Sequence, residues 1–162
     1  MPMFANRRTA LLLASSALIA SLGLTACGGG GGDSGAPINT DPNGWNAVTA
    51  LKIADTTAGT GTQAETNRTV TVHYTGYLYD VRVGSTKGTQ FDTSVGKTPL
   101  SFKLGTGAVI SGFDLGITGM KVGGKRTVTI PAAQAYGSTG AGGGVIPPNA
   151  ALVFDIELLS VS

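Results

Sequence analysis

Late in the chain an aromatic hydroxyl, a glycine-rich loop and an aliphatic–proline run follow one another. These are Gln134-Ala135-Tyr136-Gly137 and then Val145-Ile146-Pro147-Pro148-Asn149, followed by the alternating run Leu152-Val153-Phe154-Asp155-Ile156-Glu157-Leu158. Residues of these types in this order build the rim of an apolar pocket that carries very few polar groups. Upstream, Asp92 follows Phe91 as a lone acid among aromatics, a placement that calls for a partner such as a tyrosine hydroxyl. A set of this kind suits a reaction that needs neither nucleophile nor metal.

The other candidate motifs point away from covalent, metal and nucleotide chemistry. His73 is the single histidine and stands directly before Tyr74 on an alternating segment, so the two side chains must point to opposite faces. It has neither a triad partner nor fellow metal ligands in the sequence around it, and a partly buried structural role is expected. Gly119-Met120-Lys121-Val122-Gly123-Gly124-Lys125 matches most of a phosphate-loop pattern, but Arg126 stands where the Mg²⁺-ligating Ser or Thr belongs. The residues after it alternate like a strand, whereas a phosphate loop opens a helix. This segment is read as a turn. No cofactor is expected.

Charge excludes a nucleic-acid partner. The formal charge is +2, and setting aside Arg7 and Arg8 leaves nine basic against nine acidic residues. The basic residues of the 119–126 segment are too few to act as a phosphate-binding stripe. Asp155 and Glu157 share one face of the final strand and are expected to be solvated.

The elements that must position these residues are short. The chain has 162 residues, with 26 Gly and only 12% charged side chains, a composition of strands and tight turns. Residues 1–26 read as a signal peptide: Arg7-Arg8, an apolar run from Thr9 to Leu22, then Leu24-Thr25-Ala26-Cys27. Leu-x-Ala-Cys resembles the lipobox of bacterial lipoproteins, which implies cleavage before Cys27 and a lipid on it. Cys27 is the only cysteine, so no internal disulfide can form. Residues 27–44, rich in Gly, Ser, Pro and Asn, read as a flexible tether.

The globular domain is placed at 45–162. Val48, Leu51 and Ile53 open it, with a turn over 55–61. Strands are expected over Arg68–Tyr79, Leu100–Leu104, Arg126–Ile130 and Leu152–Leu158, with Asp80–Gln90 as a loop or projecting hairpin. Ser111–Ile117 is the one convincing helix, with Ser111 as N-cap, Asp114 in the first turn, and Phe113 and Ile117 on one face. The class is α+β, with a twisted antiparallel sheet of about five strands around one short helix.

Five motifs occur in one order: Val72-His73-Tyr74-Thr75-Gly76, Phe91-Asp92-Thr93-Ser94, Val109-Ile110-Ser111-Gly112-Phe113, Ala135-Tyr136-Gly137, and Ile146-Pro147-Pro148-Asn149 running into Leu152–Leu159. Together they resemble the FKBP-type peptidyl-prolyl cis-trans isomerases over about residues 48 to 160. The resemblance implies a pocket between sheet and helix, with Tyr74, Asp92, Tyr136 and Ile146 as catalytic residues. It implies substrate contact by Phe91, Leu100, Phe102, Val109, Ile110, Phe113, Val145 and Phe154. In this scheme the Ile146 amide and the Tyr136 hydroxyl bond substrate carbonyls, and Asp92, oriented by Tyr74, stabilises the twisted carbonyl.

Leu100 and Phe113 stand where the family often has an aromatic residue and a tryptophan, and both replacements keep the site apolar. An extra residue within Gly140–Gly144 and an enlarged Asp80–Gln90 loop are further departures. The implied partners are proline-containing polypeptide segments and macrolide-type inhibitors, with the membrane reached through the lipid on Cys27. A monomer in the bacterial cell envelope is expected. Gly28 lacks the aspartate that retains some lipoproteins at the inner membrane, which favours the outer membrane or periplasm. The competing reading is a proline-peptide-binding chaperone or interaction lipoprotein with little turnover.

Overall fold

A computed structural model describes residues 41–162; the segment read as a signal peptide, Cys27 and the expected tether up to residue 40 lie outside the described residues. Six strands and one helix follow in the order β1 (Lys52–Thr57), β2 (Thr69–Tyr79), β3 (Lys87–Thr93), β4 (Leu100–Lys103), α1 (Ser111–Ile117), β5 (Lys125–Ile130) and β6 (Leu152–Val161). The strands form one antiparallel sheet in the order β1-β5-β6-β2-β3, with β4 also pairing β2. Alternation carries the burial. Val70 and Val72 of β2, Val128 and Ile130 of β5, and Leu152, Phe154, Ile156 and Leu158 of β6 all face the core.

The sheet has one strand more than expected. β3 takes the last four residues of the stretch read as a loop or projecting hairpin, so the hairpin alternative holds and the loop proper shrinks to residues 80–86. Lys-Gly-Thr-Gln-Phe-Asp-Thr lacks apolar alternation because β3 is an edge strand whose side chains are half-buried or exposed. β1 is likewise an edge strand, exposed throughout, and it extends to Thr57 where a turn was expected. The packed domain also reaches back beyond Trp45. The Asp41 carboxylate accepts the N–H groups of Trp45 (2.8 Å) and Asn46 (2.6 Å), and Val81 N–H donates to Asn43 O at 3.0 Å.

A helix of seven residues is too short to persist alone and depends on what it packs against. Gly112 and Gly116, one turn apart, face Ile130 and Val128 of β5. A Cβ at Gly116 would sit 2.9 Å from both Val128 methyls, and one at Gly112 would overlap Ile130 Cγ2 outright. Two glycines thus bring the helix backbone against the sheet and press Phe113 and Ile117 into the core. At the far end, Arg126 Nη1 donates to the carbonyls of Gly116 (2.8 Å) and Thr118 (3.3 Å), while Nε reaches Asp55 Oδ1 at 2.6 Å. The basic residue that spoils the phosphate-loop pattern therefore closes the helix C-terminus.

The helix N-terminus differs from expectation. Ile110 holds the cap position with extended backbone and no side-chain cap, while Ser111 Oγ donates to Gln134 O at 3.4 Å. Asp114 turns to the Gly105 N–H at 2.8 Å.

Adding a methyl at Gly112 should destabilise the protein, although alanine improves helix propensity by about 1 kcal/mol. Overpacking against Ile130 costs about 1–3 kcal/mol and decides the sign. Denaturant unfolding of Gly112→Ala should show a lower midpoint at unchanged slope, with exposed Leu115→Ala as a near-neutral control. A midpoint equal to or above wild type would refute the close seating.

Candidate functional site

A cavity of about 230 Å³ opens between α1, the β2–β3 edge and the 130s loop, lined by Tyr74, Phe91, Asp92, Leu100, Ala108, Val109, Ile110, Phe113, Tyr136 and Phe154. Its base is a cluster of aromatic rings centred on Phe113. Tyr74 lies edge-on to Phe113 at 5.7 Å between centroids and Phe154 edge-on at 5.0 Å, while Phe102 sits at 6.1 Å. Phe91 completes the wall, edge-on to Phe154 at 5.6 Å. Edge-to-face contacts of this kind hold rings in defined orientations as well as burying area.

Two local devices present these side chains. Gly76 of β2 leaves room for the rings above it, since a Cβ there would fall 2.6 Å from Phe91 Cζ and 2.8 Å from Phe154 Cε1. Opposite it, Gly76 pairs with Asp92 and Tyr77 with Gln90, so Phe91 is the extra residue of a β-bulge. A bulge breaks the strict alternation of a strand, and here it lets the neighbours Phe91 and Asp92 both line the cavity.

Asp92 is the cavity's one carboxylate, and its oxygens are occupied. Oδ2 accepts the Tyr74 hydroxyl at 2.5 Å and Oδ1 accepts the Thr93 N–H at 2.8 Å. Burial, reinforced by the hydrogen bond and the negative charge of Asp92, pushes the Tyr74 hydroxyl up to about 12. Donors in the lining without a partner among the described residues include the half-exposed Tyr136 hydroxyl and the backbone N–H of Ile110. The arrangement can hold an apolar ring and donate to carbonyls beside it. It offers no activated nucleophile.

Most of the expected site residues converge, and three do not. Phe102 is a buried support beneath Phe113 and does not line the cavity. Val145 is 55% exposed and is not part of the cavity lining. Ile146 is 6% exposed, and its N–H donates to Ala141 O at 3.0 Å in a reciprocal pair that closes the glycine loop. Its amide is thus already paired, whereas the N–H of Ile110, in the cavity lining, has no partner among the described residues. The signal for Ile110 was present in outline, because the residue at a helix start has no intrahelical acceptor for its N–H. Ala108 was missed altogether, since a small residue in a loop carries no pattern.

His73 behaves as a structural histidine on the opposite face of β2, with Nδ1 3.1 Å from Ser94 Oγ. Asp155 and Glu157 lie on that outer face, half-exposed, and pair with Lys87 (2.7 Å) and Lys125 (3.2 Å).

The model of the FKBP-type peptidyl-prolyl cis-trans isomerase family matches residues 60–159. The chain belongs to the FKBP-type isomerase family. It is 49% identical over 113 residues to an FK506-binding protein of Neisseria meningitidis serogroup A, covering 69% of this chain and 96% of that protein. A protein of the same name from Streptomyces anulatus is 48% identical over 112 residues, covering 68% and 86%. Among solved structures, a peptidyl-prolyl cis-trans isomerase of Pseudomonas syringae superposes with a TM-score of 0.58 at 38% identity, covering 69% of this chain and 75% of that one. FkpA of Escherichia coli gives 0.59 at 42% identity, covering 70% and 49%. The matched region of the FKBP-type domain contains every residue of the cavity.

The raised Tyr74 hydroxyl makes a pH prediction. A group whose folded value lies above its ordinary value of 10 contributes stability that is complete below pH 10 and is lost as pH climbs towards about 12. In a tyrosinate absorbance titration followed while near-ultraviolet dichroism remains native, Tyr74→Phe should remove the highest-pH component. Asp92→Asn should move that component down without abolishing the shift, because burial is its largest cause. An unchanged curve in Tyr74→Phe would rule out this assignment.

Proposed function

We propose that the cavity performs the isomerisation by desolvating and twisting X-Pro amides, and that the chain does so as a lipid-anchored folding factor of a bacterial cell envelope. Rotation about the amide faces a barrier of about 18–20 kcal/mol. Cis and trans differ by only about 0.5–1 kcal/mol, so what is required is a lower barrier and not a shifted equilibrium. Twisting breaks amide resonance and reduces the charge separation of the C–N unit. An apolar cavity therefore holds the twisted form better, relative to water, than it holds the planar one.

The observation that carries this reading is the pairing of an aromatic base with unpaired donors in the lining, the Tyr136 hydroxyl and the Ile110 N–H among them. Phe113, Phe154, Phe91, Leu100 and Val109 enclose the proline ring, while the Tyr136 hydroxyl and Ile110 N–H receive carbonyls of the flanking chain. Asp92, fixed by Tyr74 and the Thr93 N–H, presents negative charge to the twisting amide at the cavity edge. FK506, for which the meningococcal relatives are named, would compete for the same cavity. The envelope location is supported by Arg7-Arg8, the apolar run and the Leu24–Cys27 pattern.

Isomerisation of a short X-Pro peptide, followed by exchange NMR with the full chain, tests the chemistry. Phe113→Ala should lower kcat/KM by tenfold or more, about 1.4 kcal/mol of transition-state binding. Wild-type protein that binds the peptide without accelerating exchange would instead favour a binding lipoprotein with little turnover. Cell fractionation tests the anchor: wild type should sediment with membranes and Cys27→Ala should not, and identical distributions would count against lipidation at Cys27.

A further inference from the structure

Strand β2 pairs with β6 along one edge over almost its whole length, but its other edge is shared by two partners. β4 pairs with Thr69–Val72 and β3 with Thr75–Tyr79, leaving His73 and Tyr74 opposite the point where the chain leaves β3. Thr75 is opposite Thr93, so the next ladder position sets Tyr74 opposite Ser94. Half of that position is regular, with the Ser94 N–H donating to Tyr74 O at 3.0 Å. The reciprocal bond, Tyr74 N–H to Ser94 O, is missing, because Ser94 O turns away to accept the Lys97 N–H at 3.0 Å.

The Ser94 side chain fills the gap. Its Oγ lies 2.9 Å from the Tyr74 N and accepts that N–H in place of the carbonyl. A serine hydroxyl has two lone pairs and one proton, so Oγ can accept from Tyr74 and donate its proton to His73 Nδ1, 3.1 Å away. Thr93 Oγ1 adds a second donor to Tyr74 O at 3.0 Å. Ser94 is 6% exposed and is the one buried polar side chain among the described residues. A hydroxyl kept in a core normally has a specific set of partners that must stay satisfied.

We propose that Ser94 is a positioning residue for the Tyr74–Asp92 pair, with its side-chain oxygen standing in for the missing ladder acceptor and with His73, on the far face of the sheet, fixing the direction of its hydroxyl. The inference rests on the catalytic reading of Tyr74 and Asp92 given above. The segment Asp92-Thr93-Ser94 holds Tyr74 at both ends: Ser94 and Thr93 grip its backbone and Asp92 grips its hydroxyl. Removing the Ser94 oxygen orphans the Tyr74 N–H and frees the ring to shift against Phe113. Small displacements of this kind reduce turnover more than they reduce binding.

Steady-state kinetics on a short X-Pro peptide, with the full chain, test this. Ser94→Ala should lower kcat about fivefold or more while KM stays within about twofold. Combined with Tyr74→Phe it should cost nothing further, because residues acting through one another do not add. His73→Ala should lose part of the same factor, and His73→Asn, which keeps an acceptor near the place of Nδ1, should recover it. Equal losses from Ser94→Ala in the wild-type and Tyr74→Phe backgrounds, or a rise in KM alone, would overturn the proposal. If Ser94→Ala does not fold, the His73 pair decides: both variants at wild-type kcat overturn it, and loss with recovery supports it. Tyr74→Phe at full activity would reject the underlying catalytic reading, whereas an impaired Tyr74→Phe beside an unimpaired Ser94→Ala rejects only the role of Ser94.

Discussion

The close approach of α1 to β5 is the constraint on which the rest of the domain depends. Gly112 and Gly116 let the helix lie against Ile130 and Val128 with no intervening side chain. Only at that separation does Phe113 reach the rings of Tyr74, Phe102 and Phe154 together. A helix of seven residues contributes little stability by its own hydrogen bonds, so its place is set by burial along one face and by Arg126 at its end. The cavity is therefore a by-product of a tight joint: the helix start, pinned at Ile110, supplies one wall, and the sheet supplies the other.

The second organising element is an interruption. One edge of β2 is served by β3 and then by β4, and the chain between them leaves the sheet beside Tyr74. An unbroken strand there would alternate faces and send Phe91 and Asp92 to opposite sides. The bulge opposite Gly76 relaxes that rule, and the excursion that follows exposes a backbone position which Ser94 then satisfies. Irregular pairing is thus concentrated where the polar pair sits, while the regular ladders of β2 with β6 and β5 with β6 carry the core.

The sequence was informative where periodicity or residue type has a single physical meaning. The strands β2, β5 and β6 show in their alternation, α1 in its apolar spacing, and the Tyr74–Asp92 bond in the isolation of an acid among aromatics. β3 was legible only as one arm of a projecting hairpin, because an edge strand whose single large apolar residue, Phe91, sits at a bulge has no apolar period to detect. The exchange of Ile146 for Ile110 as an unpaired amide has a similar cause. Both are aliphatic residues beside a turn, and only the closed Ala141–Ile146 pair reveals that one N–H is already spent. Ser94 escaped notice because a serine at a strand end usually faces water, and its burial follows from the strand break.

The contacts ahead of Trp45 bear on how force enters the domain. The Asp41 carboxylate is bonded to the N–H groups of Trp45 and Asn46, Trp45 Nε1 donates to Tyr79 O at 2.7 Å, and Arg82 reaches Asn43 Oδ1 at 2.7 Å. The leading segment is thereby latched to the tip of the β2–β3 hairpin before the chain reaches β1. A pull on the chain ahead of Asp41 loads this latch first, and β1, an exposed edge strand held only by β5, is shielded behind it. The end of the domain at Asp41 is thus tied to the hairpin tip by bonds that do not pass through β1.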